Sequence, residues 1–247
     1  MSDPKRHGQA EARPSTRIYV IIPAYNEGKA IRKVIGDIPA GLAAEVVVVS
    51  NGSTDDTEAR AAEAGAVVLS ETRRGYGNAC LRGMAYLASL PEDRKPETVV
   101  FLDGDYSDYP QDMPSLIRPI EEAGYDLVIG SRALGEREQG AMQPQQVFGN
   151  WLATTLIRWM YGVRFTDLGP FRAIRYDRLA ALGMRDQTYG WTVEMQVRAA
   201  QAGLRCTEVP VRYRRRIGVS KVSGTVKGTI LAGYKILKTI FTLRLNR

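Results

Sequence analysis

Five short β-branched runs punctuate the first half of the chain: Arg17–Ile22, Glu45–Ser50, Ala66–Leu69, Thr98–Leu102 and Asp126–Gly130. Each is a continuous apolar stretch ended by Pro, Gly or a polar cluster, the pattern of a strand buried on both faces. Helical patterns alternate with them: a stretch after Glu27, one opening at Ser53–Asp56 with polar caps and acids, then Asn78–Leu90 and Asp112–Ala123. This alternation predicts an α/β fold with a mainly parallel sheet flanked by helices. Right-handed crossovers gather the strand C-termini along one edge, where open α/β sheets bind ligands.

Beyond Arg132 the pattern changes. Ala133–Gln146 is rich in Gly, Gln and charge and reads as a mobile loop, Val147–Tyr161 as an apolar helix, and 162–214 as mixed short elements. Val222–Leu243 reads as a last amphipathic helix. At 100° per residue, Val226, Ile230, Tyr234, Leu237, Ile240 and Phe241 share one face, flanked by Lys227, Lys235 and Lys238. Such a helix suits a membrane surface with anionic lipids, or docking on the domain. The division expected is a disordered lead-in over 1–16, a domain over 17–221 and a basic C-terminal helix over 222–247.

Charge sharpens this picture. After Glu208 there is no acidic residue, while Val209–Arg247 carries ten basic ones, which leaves residues 1–208 at −3 against +7 for the whole chain. The partner question therefore belongs to the tail, and the basic segment carries no recognised nucleic-acid motif. The lead-in lacks an apolar signal-peptide core, and no apolar run reaches the ~18 residues of a membrane span. A cytoplasmic chain, peripheral on the inner face of the membrane, is the expectation. The two cysteines, Cys80 and Cys206, offer neither zinc spacing nor a disulfide framework. The single histidine, His7, lies in the lead-in, which leaves no histidine for a general base or metal site.

The strongest local chemistry is Asp103-Gly104-Asp105 at the end of the Thr98–Leu102 run. Two carboxylates so placed repel unless a cation joins them, and Mg²⁺ or Mn²⁺ there can bridge to a diphosphate. A solvated acidic turn is the plain alternative for an isolated Asp-x-Asp. The ends of the first two strands are polar as well, at Pro23-Ala-Tyr-Asn-Glu27 and Ser50-Asn-Gly-Ser-Thr-Asp-Asp56. Turn formation and helix capping account for part of this, but not for three polar strand ends on one edge.

With Gly75-Tyr-Gly-Asn-Ala79 and Asp126-Leu-Val-Ile-Gly-Ser-Arg132, these motifs in this order resemble the family 2 glycosyltransferases, inverting enzymes of the GT-A fold, over about residues 17–221. The resemblance implies a nucleotide-sugar site made by Pro23, Tyr25, Glu27, Asn51, Ser53, Gly75, Asp103, Gly104 and Arg132, with Asp105 and Asp103 at the metal. Ser50-Asn51-Gly52-Ser53 stands where the family often has Asp-Asp-Gly-Ser, which loosens the preference for UDP over GDP. Thr166-Asp-Leu-Gly-Pro-Phe-Arg172 and Arg215-Arg-Ile-Gly-Val-Ser-Lys221 resemble segments of the dolichol- and polyprenyl-phosphate sugar transferases. That branch implies a lipid-linked or polyprenyl-phosphate acceptor held by Arg172, Arg215 and Lys221. Arg172 also reads as half of a structural ion pair with Asp167, and the Arg214–Arg216 run as solvated charge.

For a hydroxyl acceptor a carboxylate base is needed, and Glu194 or Asp167 stands in the implied place; an ionised phosphate acceptor needs none. A soluble hydroxyl acceptor is the alternative, and a non-catalytic nucleotide-sugar-binding module a weaker one. A nucleotidyltransferase would carry a Gly-rich basic loop after the first strand, and a dinucleotide oxidoreductase a Gly-x-Gly-x-x-Gly there. Pro23–Glu27 is neither.

Overall fold

The computed structural model describes residues 17–218 and 226–245. The expected lead-in Met1–Thr16 and Lys221 lie outside the described residues.

Seven strands form one sheet: β1 (Ile18–Ala24), β2 (Glu45–Ser50), β3 (Val67–Ser70), β4 (Thr98–Phe101), β5 (Leu127–Ser131), β6 (Arg172–Arg175) and β7 (Cys206–Pro210). Their order is β3-β2-β1-β4-β6-β5-β7. All pairings are parallel except those of β6, which runs antiparallel to both β4 and β5. The sheet is thus mixed and mostly parallel, as the alternating pattern predicts. Strand β6 was not resolved from the mixed region of the sequence. Arg172-Ala-Ile-Arg175 is too short and too charged at its ends to read as a buried strand alone, and only its neighbours make it one.

Side chains alternate across the sheet and feed two cores. Tyr19, Ile21, Val47, Val49, Val99 and Phe101 point to one face. Ile18, Val20, Ile22, Val48 and Val100 point to the other. The first face is covered by α3 (Tyr76–Ser89), α5 (Pro144–Tyr161), α6 (Tyr176–Leu182), α7 (Trp191–Gln201) and α8 (Val226–Leu245); the second by α1 (Ile31–Gly36), α2 (Thr57–Glu63) and α4 (Met113–Ala123). Helix α5 starts at Pro144 with a capping box on Gln143, so the loop after Arg132 is shorter than expected.

Helix α8 lies against α7 and α5. It buries Ile240 and Thr239, and Tyr161 donates to the Ile240 carbonyl at 2.5 Å. The face singled out by angle docks only along one edge: Ile240 is buried and Leu237 half-buried. Ile230, Tyr234 and Phe241 point outward and are 64%, 64% and 45% exposed. Apolar residues also lie off that face, at Leu231, Ile236 and Leu243, so a periodicity argument does not by itself choose the inner side. Among the described residues no helix is long and apolar enough to cross a membrane.

Helix α3 packs closely on β1 because Gly83 has no side chain: a Cβ there would stand 2.8 Å from the Ile21 Cγ2. Replacing Gly83 with Val is expected to overpack this contact and cost about 1–3 kcal/mol, read as a lowered denaturant midpoint with an unchanged slope.

Candidate active site

Strand order runs outward from β1 toward β2 and β3 on one side and toward β4 on the other, so the β1/β4 edge is a topological switch point. A cavity of about 330 Å³ opens there. Pro23, Tyr25, Glu27, Asn51, Gly75, Asp103, Gly104 and Asp105 all line it, joined by Arg74, Tyr76, Tyr189 and Arg216. The Arg74 guanidinium stacks on the Tyr25 ring at 4.1 Å, so this end of the cavity offers a cation lying on an aromatic face. Ser53 is not in the lining; its hydroxyl accepts from the Asn26 N–H and ties the β1 and β2 loops together.

Asn51 holds the floor. Its amide nitrogen donates to the Glu71 and Arg73 carbonyls at 3.1 and 2.8 Å, and its oxygen accepts from Gly75 N–H at 2.7 Å. An amide does this where a carboxylate could not, since two of the three partners are acceptors. The amide at this position therefore has a local structural role: the side chain shapes the 71–75 loop. Gly75 follows with φ of 137°, and a Cβ would come 2.2 Å from the Gln187 carbonyl. The first N–H groups of α3 are capped by the 187–188 backbone, with Asn78 N donating to Gln187 O at 3.0 Å and Gly77 N to Thr188 O at 3.3 Å.

The carboxylates crowd as the motif predicts. Asp105 is buried, and its Oδ1 accepts from the Ser107 N–H and hydroxyl at 2.9 and 2.5 Å. Its Oδ2 forms an ion pair with Arg216. Burial and the Asp105 charge push the Asp103 carboxyl up to about 7. Asp108, 1% exposed, has neither oxygen hydrogen-bonded, and burial followed by Asp103 holds it well above the usual carboxylate range. This end of β4 thus gathers more carboxyl groups than its cations can keep ionised. Among the described residues no three acids converge into a site made by protein alone. The donor set fits a hard divalent cation held by one or two carboxylates and completed by a ligand's phosphates, the usual habit of Mg²⁺.

Arg216 is the residue the motif reading misses. Residues 213–217 run beside 105–108 in extended form, with Arg214 N donating to Ser107 O and Ile217 N to Asp105 O, each at 2.9 Å. Alternation then turns Arg214 and Arg216 inward and Arg215 outward. Arg214 stacks 3.3 Å from the Tyr106 ring centre. Arg215, the expected phosphate ligand, instead donates to the Gln139 carbonyl at 2.8 Å and lies outside the cavity. Three consecutive arginines in a strand-like segment are the sequence signal for it.

A second cavity, of about 320 Å³, shares Tyr76, Asp103, Tyr189 and Arg216 with the first and extends between α5 and α8 past Gly149, Ala232, Gly233 and Ile236. Arg132 lines this one. Its side chain grips Asp167 with two bonds, at 2.8 and 2.7 Å, and its N–H adds a third at 2.7 Å. The expected base Asp167 is 1% exposed and wholly engaged. Glu194 is 3% exposed and lines neither cavity. It accepts from the Arg185 and Asp186 N–H groups and from Arg198, and so anchors the loop that caps α3 and carries Tyr189. Arg172 is fully buried and lines neither cavity. Its guanidinium donates to the Leu168, Gly169 and Thr192 carbonyls, and burial lowers its pKa to about 10. Its ion-pair partner is not Asp167, which belongs to Arg132. Glu194, Asp167, Arg172 and Arg215 thus each hold a loop by the contacts described.

Removing the Arg172 guanidinium strands three buried carbonyls. Arg172→Ala is expected to destabilise the chain by about 3 kcal/mol or more in equilibrium denaturation, while the folded fraction keeps its nucleotide affinity.

Comparison with known proteins agrees with this geometry. The profile described as Glycosyl transferase family 2 matches residues 19–183. An uncharacterized glycosyltransferase of Mycobacterium tuberculosis is 36% identical over 231 residues, 90% of this chain and 97% of the relative. The undecaprenyl-phosphate mannosyltransferase of Micrococcus luteus is 32% identical, covering 86% of this chain and 90% of the relative. The dolichyl-phosphate hexose transferase of Haloferax volcanii is 33% identical, at 92% and 95% coverage. Among solved structures, glucosyl-3-phosphoglycerate synthase from Mycobacterium tuberculosis, in complex with Mn²⁺, uridine diphosphate and glucosyl-3-phosphoglycerate, superposes with a TM-score of 0.72 at 26% identity, covering 92% of this chain and 80% of that one. The chain belongs to glycosyltransferase family 2, with the GT-A fold.

Proposed function

We propose that this glycosyltransferase moves a hexose, with inversion, from a nucleotide sugar to a phosphate carried by a lipid or polyprenyl chain. The nucleotide lies in the cavity at the β1/β4 edge, with UDP favoured and GDP second. The acceptor lies in the cavity between α5 and α8. The observation that carries this reading is the shared wall: Tyr76, Asp103, Tyr189 and Arg216 face both cavities, so the sugar carbon would stand where they meet.

The chemistry follows from what each wall offers. An acceptor oxygen attacks the anomeric carbon, and the bond from that carbon to the diphosphate breaks, its electron pair leaving with the diphosphate. A hydroxyl acceptor would need a base. Both candidate bases are consumed, Asp167 by Arg132 and Glu194 by backbone N–H groups and Arg198. A phosphate acceptor is already ionised, and Arg132 and Arg216, which line the acceptor cavity, would donate to its oxygens. Asp105 and Asp103 would hold Mg²⁺ or Mn²⁺, which when bound neutralises charge on the departing diphosphate. Arg216 would then pass from Asp105 to phosphate oxygens.

The α8 wall of this cavity, Ala232, Gly233 and Ile236, is apolar and supports a lipid chain, and the exposed apolar residues on both helices support a site at a membrane surface. A soluble phosphorylated acceptor is the second reading. It is favoured by the structural neighbour, which has been solved with phosphoglyceric acid.

Two outcomes test the site. Asp105→Asn is expected to abolish Mn²⁺-dependent binding of UDP in calorimetry and to cut turnover roughly a thousandfold, the equivalent of several kcal/mol; unchanged Mn²⁺-dependent binding sinks the assignment. Because Asp103 titrates near 7, Mn²⁺ must displace a proton below that pH. Its affinity in the presence of UDP should climb from about pH 6 to about pH 8 with proton release, and a flat profile excludes Asp103 from the metal. A donor screen with polyprenyl phosphate and phosphoglyceric acid as rival acceptors decides between the two readings.

A further inference from the structure

A third cavity, of about 370 Å³, lies on the other side of α5 and shares only Met142 and Asn150 with the acceptor cavity. One wall is a single stripe of α5 at helical spacing, from Val147 through Trp151 and Thr154 to Arg158; Arg137 and the Arg164–Phe165 segment complete it. Arg137, Arg158 and Arg164 therefore converge on one hollow. Among the described residues none of them has a carboxylate partner; Arg137 reaches only the Met142 sulfur, at 3.6 Å. The sequence supplies no acid from Gln143 to Thr166. Asp167, the one acid in the lining, is spent on Arg132. A pocket with three unpaired guanidiniums and no free acid is built for a polyanion.

The exposed aromatic residues of α5, one of which, Trp151, lines the cavity, narrow the choice. Phe148, Trp151 and Trp159 on α5 are 61%, 58% and 81% exposed. Exposed aromatics of this kind settle at the headgroup level of a bilayer, while arginine forks bind phosphate oxygens two at a time. We propose that the Arg137–Arg158–Arg164 pocket binds the phosphate of an anionic membrane phospholipid, with Phe148, Trp151 and Trp159 entering the interface around it. This rests on the membrane-surface part of the proposed function, but not on the donor, the metal or the acceptor. The site would hold the enzyme with α5 against the bilayer, so that the mouth between α5 and α8 meets a lipid-borne acceptor.

Co-sedimentation with vesicles of phosphatidylcholine alone, or mixed with phosphatidylglycerol, tests it. The intact chain should prefer the mixed vesicles, and the triple variant Arg137→Gln, Arg158→Gln, Arg164→Gln should bind them about a hundredfold more weakly at low salt. A control that removes the same charge from α2, α3 and α4 (Arg60→Gln, Arg82→Gln, Arg118→Gln) should stay within about threefold of the intact chain. Equal losses in both triples would mean general attraction and overturn the site. No preference for phosphatidylglycerol in the intact chain would overturn it as well. Release from mixed vesicles by millimolar glycerol phosphate or inorganic phosphate would overturn the lipid assignment in favour of a free anion. Calorimetry of the pocket variant with UDP and Mn²⁺ keeps the two ideas apart. Unchanged nucleotide binding with lost vesicle binding supports the pocket, whereas absent nucleotide binding in the intact chain strikes the glycosyltransferase site and leaves the vesicle result standing.

Discussion

The carboxylates at the end of β4 repel one another, and much of the site is arranged around that repulsion. Asp103, Asp105 and Asp108 follow one strand into a region where burial strips away water. Two arginines from distant parts of the chain answer them. Arg216 pairs with Asp105 directly. Arg132 lowers the cost for Asp103 and Asp108 while pinned in place by Asp167. The balance is incomplete, as the raised pKa of Asp103 and the unbonded oxygens of Asp108 show. An incomplete balance of this sort is what an incoming cation can use, because binding it relieves a cost the fold already bears.

The cavity at the β1/β4 edge was legible from the sequence because its signals are local. Strands β1, β2 and β4 are apolar runs that end in polar motifs, and parallel pairing alone brings those ends to one edge. Hence Pro23, Tyr25, Glu27, Asn51, Asp103 and Asp105 share a cavity. What stayed hidden was decided by tertiary contact. Glu194, Asp167 and Arg172 look like chemistry in one dimension, since a charged residue near a motif is a fair candidate for substrate. In three dimensions each is nearly sealed from solvent and satisfied by loop backbone or by another side chain. Nor does sequence spacing reveal which arginine of Arg214–Arg216 faces inward; a bridge between Asp108 and Tyr213 sets that register.

The loop over 185–190 links several of these choices. Glu194 holds its start, Asp186 accepts from Thr188 and Gly190 N–H and pairs with Lys235 of α8 at 2.8 Å, and its carbonyls cap α3 beneath Gly75. The basic last helix is thereby tied, through one ion pair and one loop, to the glycine that borders the β1/β4 cavity. Part of the tail's charge is thus structural, spent on this tie and not on a partner.

The antiparallel strand β6 also has a consequence in time. Strand β5 pairs only with β6 and β7, both of which come later in the chain. During synthesis, β1 to β4 can close into a sheet while β5 waits for about 40 more residues, several seconds at roughly 5–20 residues per second, before its first partner emerges. For that interval the half of the sheet that will carry Arg132 is an open edge. A chaperone acting on the nascent chain would find Leu127–Ser131 unpaired there, whereas β1 to β4 can already be paired.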